Sequence, residues 1–519
     1  MFYKTFLLAV FFVVTIAVGA YFRKRDTSVD GFVLAGRSVG PWLTAFAYGT
    51  SYFSAVVFIG YAGQFGWRFG ISAVWIGIGN AFIGSLLAWV VLARRTRVMT
   101  HHIDSATMPS FFGIRYGSNS LKIGAAVITF IFLVPYTASL YNGLSRLFAM
   151  AFAVDFTVCI VAMALLTAAY VITGGYRATA VNDFIQGVIM LVGIASVVAA
   201  VLGKNGGFMP SLEALARVKD DTVSGAPGIF ASFFGPAPLD LLGVIILTSV
   251  GTWGLPQMVQ KFYSIRSEKN INTGTVVSTL FAIVISGGCY FLGGFGRLFS
   301  SAADVKASGF DSIIPTMLTG FSDLLIGIVV IIVFAASIST LSSLVMTSAS
   351  TFTLDFLNSG LVKRMNERTA LFTIRCLIAI FIAISSIIAT IQYKSGVSFI
   401  AQLMGISWGA LAGAFLAPFL YGLYWKRGTC AAVWCNFIFA AAFMISNIFF
   451  RPVFPALLQS PINAGAFAML AGLVIVPVVS VFTAKPADAL VEKCFMCYET
   501  DVTVKAAEAL GAPAKAKNA

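Results

Sequence analysis

The sequence contains very little charge. Only 10% of its 519 residues are Asp, Glu, Lys or Arg, whereas a soluble domain carries about 25%. A soluble protein of this length could not cover its surface with so few polar groups, and the mean hydropathy of +0.92 agrees. The composition excludes an ordinary cytoplasmic enzyme, a secreted disulfide scaffold and a disordered chain.

Long apolar runs recur along the whole chain, which is typical of a polytopic membrane protein. We predict an all-α fold with thirteen transmembrane helices, each with the roughly 20 residues needed to cross about 30 Å of hydrocarbon. These spans are 3–21, 39–66, 70–93, 121–145, 154–173, 180–202, 237–260, 271–296, 321–352, 369–392, 397–424, 428–449 and 462–483.

The formal net charge of +14 indicates membrane topology and not nucleic-acid binding, because Lys and Arg fall in short loops between apolar spans. The first span is followed by Arg23, Lys24 and Arg25, which favours an uncleaved helix with its N-terminus outside the cell. Thirteen spans then place the C-terminus inside, and most basic residues, Lys261 among them, in cytoplasmic loops. We expect a plasma-membrane protein that works in the lipid bilayer as a monomer.

Two of the spans are interrupted. The second contains Pro41 and Gly49, with Thr50 and Ser54 at its centre, and the seventh contains Gly, Pro and Gln within 251–257. Broken helices at mid-depth expose backbone groups that must face a cavity, an ion or a substrate. Secondary transporters place such breaks at matching positions of two inverted repeats. The alternative is a pair of kinks that neighbouring helices satisfy.

The ninth span is rich in hydroxyl groups. Ten of the nineteen residues from 335 to 353 are Ser or Thr, and one helical face combines Ala336, Ser339, Thr340, Ser343 and Thr347. Neutral oxygens on one face suit a monovalent cation. Alternatively, these hydroxyls return hydrogen bonds to their own helix and permit close packing.

Carboxylates are nearly absent from the spans, and only Asp183 lies near the interior. Proton-driven transport usually needs a titratable group within the membrane. The sequence therefore favours sodium over protons as the coupling ion.

Four segments together resemble the sodium:solute symporters, the group that includes the sodium/proline, pantothenate and sodium/glucose transporters. They are residues 32–41, residues 172–178 with Asp183 and Gln186, residues 256–262, and residues 336–342. The resemblance covers about residues 5–480. It implies the leucine-transporter-type fold, a 5+5 inverted repeat that works by alternating access.

On this resemblance we divide the chain into six parts. They are an N-terminal extra helix and cytoplasmic loop (1–38), the first five-helix repeat (39–202), an extracellular loop (203–236), the second five-helix repeat (237–424), two C-terminal helices (425–483) and a cytoplasmic tail (484–519).

The resemblance also assigns site residues. The sodium (Na+) site falls on the carbonyls of Thr50, Phe53 and Ala336 and the hydroxyls of Ser339 and Thr340. Asp183 matches the acid on the ion release path. Solute-binding candidates lie between the second, fourth, seventh and eleventh spans: Ser54, Tyr136, Thr252, Trp253, Gln257 and Gln402.

The sequence departs from the sodium/proline branch at two positions. Tyr52 stands where that branch has an acid, and Thr248 stands where it has a tryptophan. These differences leave the solute open among amino acids, carboxylates, vitamins and sugars.

We therefore expect a sodium-coupled symporter that imports a small organic solute. The alternatives are a proton-coupled symporter of the same fold and a channel or transport-like sensor. A membrane enzyme is disfavoured, because no constellation of catalytic or metal-binding side chains appears within the spans.

Overall fold

A computed structural model describes residues 2–22, 28–220, 223, 226–361, 365–395 and 400–498. The basic cluster 23–25 and most of the tail 484–519 lie outside the described residues. Within them the secondary structure is helical, and an isolated β-bridge joins Val39 and Ile265.

The helices of the first half of the chain are α1 (Phe2–Phe22), α2 (Val29–Leu34), α3 (Pro41–Tyr52), α4 (Ala62–Phe69), α5 (Val74–Gly79), α6 (Arg94–His102), α7 (Met108–Arg115), α8 (Asn119–Phe152), α9 (Phe156–Gly203), α10 (Phe208–Ala216) and α11 (Pro238–Ser249). Those of the second half are α12 (Pro256–Tyr263), α13 (Lys269–Ala282), α14 (Gly288–Gly294), α15 (Ala302–Ser308), α16 (Ile313–Leu318), α17 (Asp323–Thr351), α18 (Glu367–Ser395), α19 (Ile400–Tyr424), α20 (Cys430–Phe449), α21 (Pro461–Phe482) and α22 (Asp488–Phe495).

Several of these helices are joined by π-helical segments into longer rods. These segments are Val56–Tyr61 before α4, Asn80–Leu87 and Trp89–Ala93 between α5 and α6, Ile283–Gly287 between α13 and α14, and Phe352–Leu361 after α17.

By length and hydropathy, nine helices in the described part of the chain could cross a membrane, or ten if the bent pair Pro238–Gly254 and Pro256–Tyr263 counts as one span. The predicted number of thirteen is not reached by this measure, for two reasons. The apolar stretches Thr5–Val18 and Phe156–Ala169 are short. In addition, two predicted spans merge into the single rod Val56–His102. Gly70, with φ +65°, lies inside this rod and is the first residue of the predicted span 70–93.

Helices α17 and α19 form the centre of the molecule. The apolar windows of the spans that contain them are 78% and 89% buried, compared with 33% for α18 and 39% for α20 and α21. α17 packs against α3, α8 and α9, and α19 packs against α8, α20 and α21. Side chains on α17 are therefore positioned to form a site inside the protein, whereas the outer helices present apolar residues to lipid.

Both predicted interruptions are present. α3 ends at Tyr52, and Phe53 has extended dihedrals of φ −107° and ψ 134°. In the second interruption, Leu255 has φ −86° and ψ 120°, and the helix axis bends by 46°. Pro256 explains this bend, because the residue before a proline is pushed out of the helical region.

Helices α4 and α14 touch through their backbones. A Cβ on Gly66 would lie 2.0 Å from the backbone carbonyl of Gly293, and a Cβ on Gly293 would lie 2.0 Å from the carbonyl oxygen of Ala62. Small residues permit this kind of approach between membrane helices.

We predict that Gly66→Ala lowers the free energy of unfolding by about 1–3 kcal/mol, because the backbones must separate to admit the methyl group. Gly287→Ala is the control, since its Cβ would meet no atom within 4 Å and alanine favours the helix. Thermal unfolding of the purified protein in detergent measures both. Equal midpoints for the two variants would contradict the close approach.

Candidate functional site

The first helix interruption releases backbone oxygens inside the protein. The Thr50 carbonyl accepts a long hydrogen bond of 3.3 Å from the amide of Phe53. Residues Thr50, Phe53 and Ser54 are at most 2% exposed. Buried carbonyl groups need a partner, and here they face α17.

The five residues predicted to bind sodium come together at this point. The Thr340 Oγ1 atom lies 3.0 Å from the carbonyl oxygen of Ala336, 3.1 Å from that of Phe53 and 3.5 Å from that of Thr50. The Ser339 hydroxyl donates to Thr50 Oγ1 over 2.9 Å. We call these residues the carbonyl cage: Thr50, Phe53, Ala336, Ser339 and Thr340.

The carbonyl cage has more acceptors than donors. A threonine hydroxyl has one proton, so Thr340 can donate to only one of its three carbonyl neighbours at a time. The remaining oxygens then face each other with no proton between them. A cluster of neutral acceptor oxygens such as this suits a metal cation, because the cation binds acceptors and brings no proton.

Further hydrogen bonds fix the interruption against α17. The Ala55 amide donates to Ser337 Oγ over 3.0 Å, and Ser51 Oγ lies 3.2 Å from Ser343 Oγ. Ser337 lies between the cage residues Ala336 and Ser339, and Ser343 lies one helical turn beyond Ser339. These two contacts therefore hold the interruption against the cage-forming part of α17.

Asp183 lies in α9 and is completely buried, and neither of its carboxylate oxygens has a hydrogen-bond partner of normal geometry in the described structure. Its electrostatic neighbours are Lys261 and the Ser339 hydroxyl. This acid therefore stands next to the cage and belongs to the same buried polar region.

Lys261 was expected in a cytoplasmic loop, and this expectation is wrong. The residue belongs to α12 and is 1% exposed, and its ammonium donates to Ser343 Oγ over 2.9 Å. The helix resumes at Pro256 after the second interruption and continues to Tyr263, which carries this lysine into the interior. A basic residue at the end of an apolar run can lie in a loop or in the protein interior, and the sequence gives no signal that distinguishes the two.

The solute-binding candidates Ser54 and Tyr136 face one another across the first interruption. Both are buried, and neither hydroxyl makes a hydrogen bond of normal geometry with the described residues. Ser54 and Trp408 are the polar neighbours of the Tyr136 hydroxyl. The rings of Tyr136 and Trp408 meet edge to face, with centroids 5.9 Å apart.

Three further aromatic residues at this place were not predicted. Trp408 also lies close to the second interruption, because a Cβ on Gly251 would be 3.4 Å from its ring. Tyr61 and Tyr290 lie near Tyr136, and the hydroxyls of both are buried without a hydrogen-bond partner in the described structure. Trp408 is the single tryptophan of α19. This is the one feature by which the sequence could have pointed to an aromatic residue at the site.

The remaining solute candidates differ in their surroundings. Thr252 Oγ1 donates to the Ser249 carbonyl over 2.8 Å, and Trp253 Nε1 donates to the Ile83 carbonyl over 3.1 Å. Gln257 is buried, and its Oε1 atom has no hydrogen-bond partner among the described residues. Gln402 is half-buried. It lies six residues before Trp408, so the two side chains leave α19 on different faces.

Comparisons with known proteins identify the family. The model of the sodium:solute symporter family matches residues 32–438. A sodium/proline symporter of Staphylococcus aureus (strain JH9) is 30% identical over 449 residues, covering 85% of this chain and 84% of the relative. The homologue of strain NCTC 8325 has the same identity and coverage.

Solved structures show the same fold. A Na+-coupled sialic acid symporter in a substrate-bound, outward-open state has a TM-score of 0.74 at 16% identity, covering 94% of this chain and 99% of the other. A nucleobase-cation-symport-1 family transporter has a TM-score of 0.51 at 12% identity, covering 89% and 97%. The chain is a multi-pass membrane transporter of the leucine-transporter-type fold and not an enzyme; it belongs to the sodium:solute symporter family and performs sodium-coupled solute symport.

Proposed function

We propose that the coupling sodium ion binds in the carbonyl cage. The observation that carries the proposal is the position of Thr340 Oγ1, which lies within 3.5 Å of three backbone oxygens contributed by α3, its end and α17. An ion there would accept the lone pairs of Thr50, Phe53, Ala336, Ser339 and Thr340 together. Asp183, one helix away, is the acid that meets the ion on its way to the cytoplasm.

We propose that the solute binds beside the cage, between the two interruptions. Ser54, Tyr136 and Gln257 supply unsatisfied polar atoms, and Trp408 supplies a flat apolar wall. Thr252 and Trp253, in the 3₁₀ turn that follows α11, form another side of the solute site. Gln402 stays a predicted member of the site. The polar groups of the site are hydroxyls and an amide, which suits a small solute with its own hydrogen-bond donors and acceptors.

The relatives indicate a first solute class to test, and position 248 leaves other classes open. The Staphylococcus relatives are named for proline, so an amino acid is the first class to test. Thr248 stands where the sodium/proline branch has a tryptophan, and it donates to Asn80 Oδ1 over 2.8 Å. We therefore propose a small organic solute from the amino acids, carboxylates, vitamins and sugars.

We also propose the finer topology. Thirteen spans would include α1 and both parts of α9, with repeats at 39–202 and 237–424. The equivalent interruptions after Tyr52 and Gly254 support this assignment, because inverted repeats place broken helices at corresponding positions. The N-terminus would then be outside and the C-terminus inside the plasma membrane, and the monomer would be the functional unit.

The mechanism follows from this arrangement. Sodium bridging the end of α3 to α17 stabilises the outward-open state and fixes Ser54 in the solute site. Ion and solute then raise each other's affinity equally, since coupling is reciprocal. Rocking of one helix bundle exposes both to the cytoplasm. A negative-inside potential contributes about 2.3 kcal/mol per charge per 100 mV.

We predict that Ser339→Ala/Thr340→Ala lowers the apparent sodium affinity at least about tenfold, a loss of about 1.4 kcal/mol or more. Two ligands to the ion are removed, while α17 keeps its helical backbone. The measurement is solute uptake into proteoliposomes as a function of external sodium. Ser350→Ala is the matched control on α17, because in the described structure its hydroxyl donates to the Thr347 carbonyl of its own helix.

Uptake that is unchanged when sodium is replaced by choline would contradict sodium coupling. Full sodium affinity in the double variant would contradict the carbonyl cage. The two failures are separable, because the first is measured on the wild-type protein.

We predict that Tyr136→Phe abolishes solute-induced thermal stabilisation without destabilising the ligand-free protein. The Tyr136 hydroxyl is buried without a hydrogen-bond partner among the described residues, so removing it relieves a desolvation cost. Tyr116→Phe is the opposite control: its buried hydroxyl donates to the Pro418 carbonyl, so its loss lowers stability by about 0.5–1.5 kcal/mol and leaves solute binding intact.

The measurement is a thermal-shift screen of amino acids, monocarboxylates, vitamins and sugars, with and without sodium. A hit should raise the melting temperature of the wild type only when sodium is present. A solute that stabilises Tyr136→Phe as strongly as the wild type would exclude Tyr136 from the site.

A further inference from the structure

A second place in the buried polar region has the chemistry of a cation site. The Asp183 carboxylate is completely buried and without a hydrogen-bond partner of normal geometry in the described structure. The hydroxyls of Ser339 and Ser343 lie one helical turn apart on α17. Burying a carboxylate without a compensating charge costs free energy, so a positive charge beside Asp183 is favoured.

The Lys261 ammonium supplies that charge. Its Nζ atom is 2.9 Å from Ser343 Oγ and 4.9 Å from the centre of the Tyr176 ring, and it interacts electrostatically with Asp183. Cation–π contact with a buried tyrosine further favours a cation at this position. The lysine therefore stands among the groups that would otherwise attract an ion from solution.

A short chain of hydroxyls connects this ammonium to the carbonyl cage. Ser343 Oγ accepts from Lys261 and lies 3.2 Å from Ser51 Oγ, and Ser51 directly follows Thr50. A fixed positive charge this close to the cage repels a sodium ion unless an acid offsets it. Asp183 is the acid in position to do so.

We propose that the Lys261 ammonium is a tethered cation that takes the place of a second sodium ion beside Asp183, so that each solute is coupled to one sodium ion. This inference rests on the carbonyl cage being the sodium site. Lys261 is then a residue that determines ion stoichiometry, and Asp183 is the counter-charge that lets sodium occupy the cage next to an ammonium.

The test is equilibrium binding of radioactive sodium to the purified full-length protein in detergent, which needs no solute. The wild type and Lys261→Arg should bind one sodium per chain. Lys261→Met removes the charge and keeps the length of the side chain, and should bind two. Lys261→Met/Asp183→Asn removes both charges and should return to one.

Affinity gives a second measurement if Lys261→Met does not fold, which size-exclusion chromatography detects. Asp183→Asn leaves the ammonium without its counter-charge, and should weaken sodium binding at least about tenfold through repulsion. The double variant should restore it, which a merely structural role for Asp183 would not do.

The outcomes separate this inference from the proposed sodium site. Unchanged sodium binding in Ser339→Ala/Thr340→Ala would overturn the carbonyl cage itself. Two sodium ions bound by the wild type, or one bound with unchanged affinity by Lys261→Met, would overturn the tethered cation alone. Unchanged sodium affinity in Asp183→Asn would overturn it as well.

Discussion

Backbone oxygens released in the interior of a membrane protein must find a partner, and this requirement organises the whole molecule. The chain stops being helical at Phe53 and Ser54, in a place without access to bulk water. The hydroxyl face of α17 lies directly opposite and meets those oxygens through Thr340. The burial of α17, the hydroxyl groups on it and the helices packed around it all serve to hold these two segments together.

The local features of this region could be predicted from the sequence. Glycine and proline occur in both interrupted spans, and helical periodicity places Ser339 and Thr340 on one face. What periodicity could not supply is the contact between Thr50 and Thr340, 290 positions apart. The family resemblance supplied it, and in the structure Thr340 Oγ1 lies 3.5 Å from the Thr50 carbonyl oxygen. The resemblance assigned no role to Trp408 or Lys261, because their roles depend on which helices pack beside them.

Basic residues were the least predictable part of the sequence, because charge was interpreted only as topology. Arg97 and Arg115 are buried, and both donate to backbone carbonyls: Arg97 to Ile265 over 2.9 Å and Arg115 to Gly422 over 2.9 Å. Near the end of a helix such as α19, a guanidinium satisfies carbonyls that the helix leaves open and offsets the negative end of its dipole. These side chains are therefore structural elements of the fold.

The backbone contact between Gly66 and Gly293 limits how the transporter can change shape. Packed helices usually slide past each other by changing side-chain rotamers. Where two main chains touch, there is no rotamer to change. α4 and α14 must consequently move together as one rigid unit. The bending that opens either side of the transporter has to take place at the interruptions and not at this crossing.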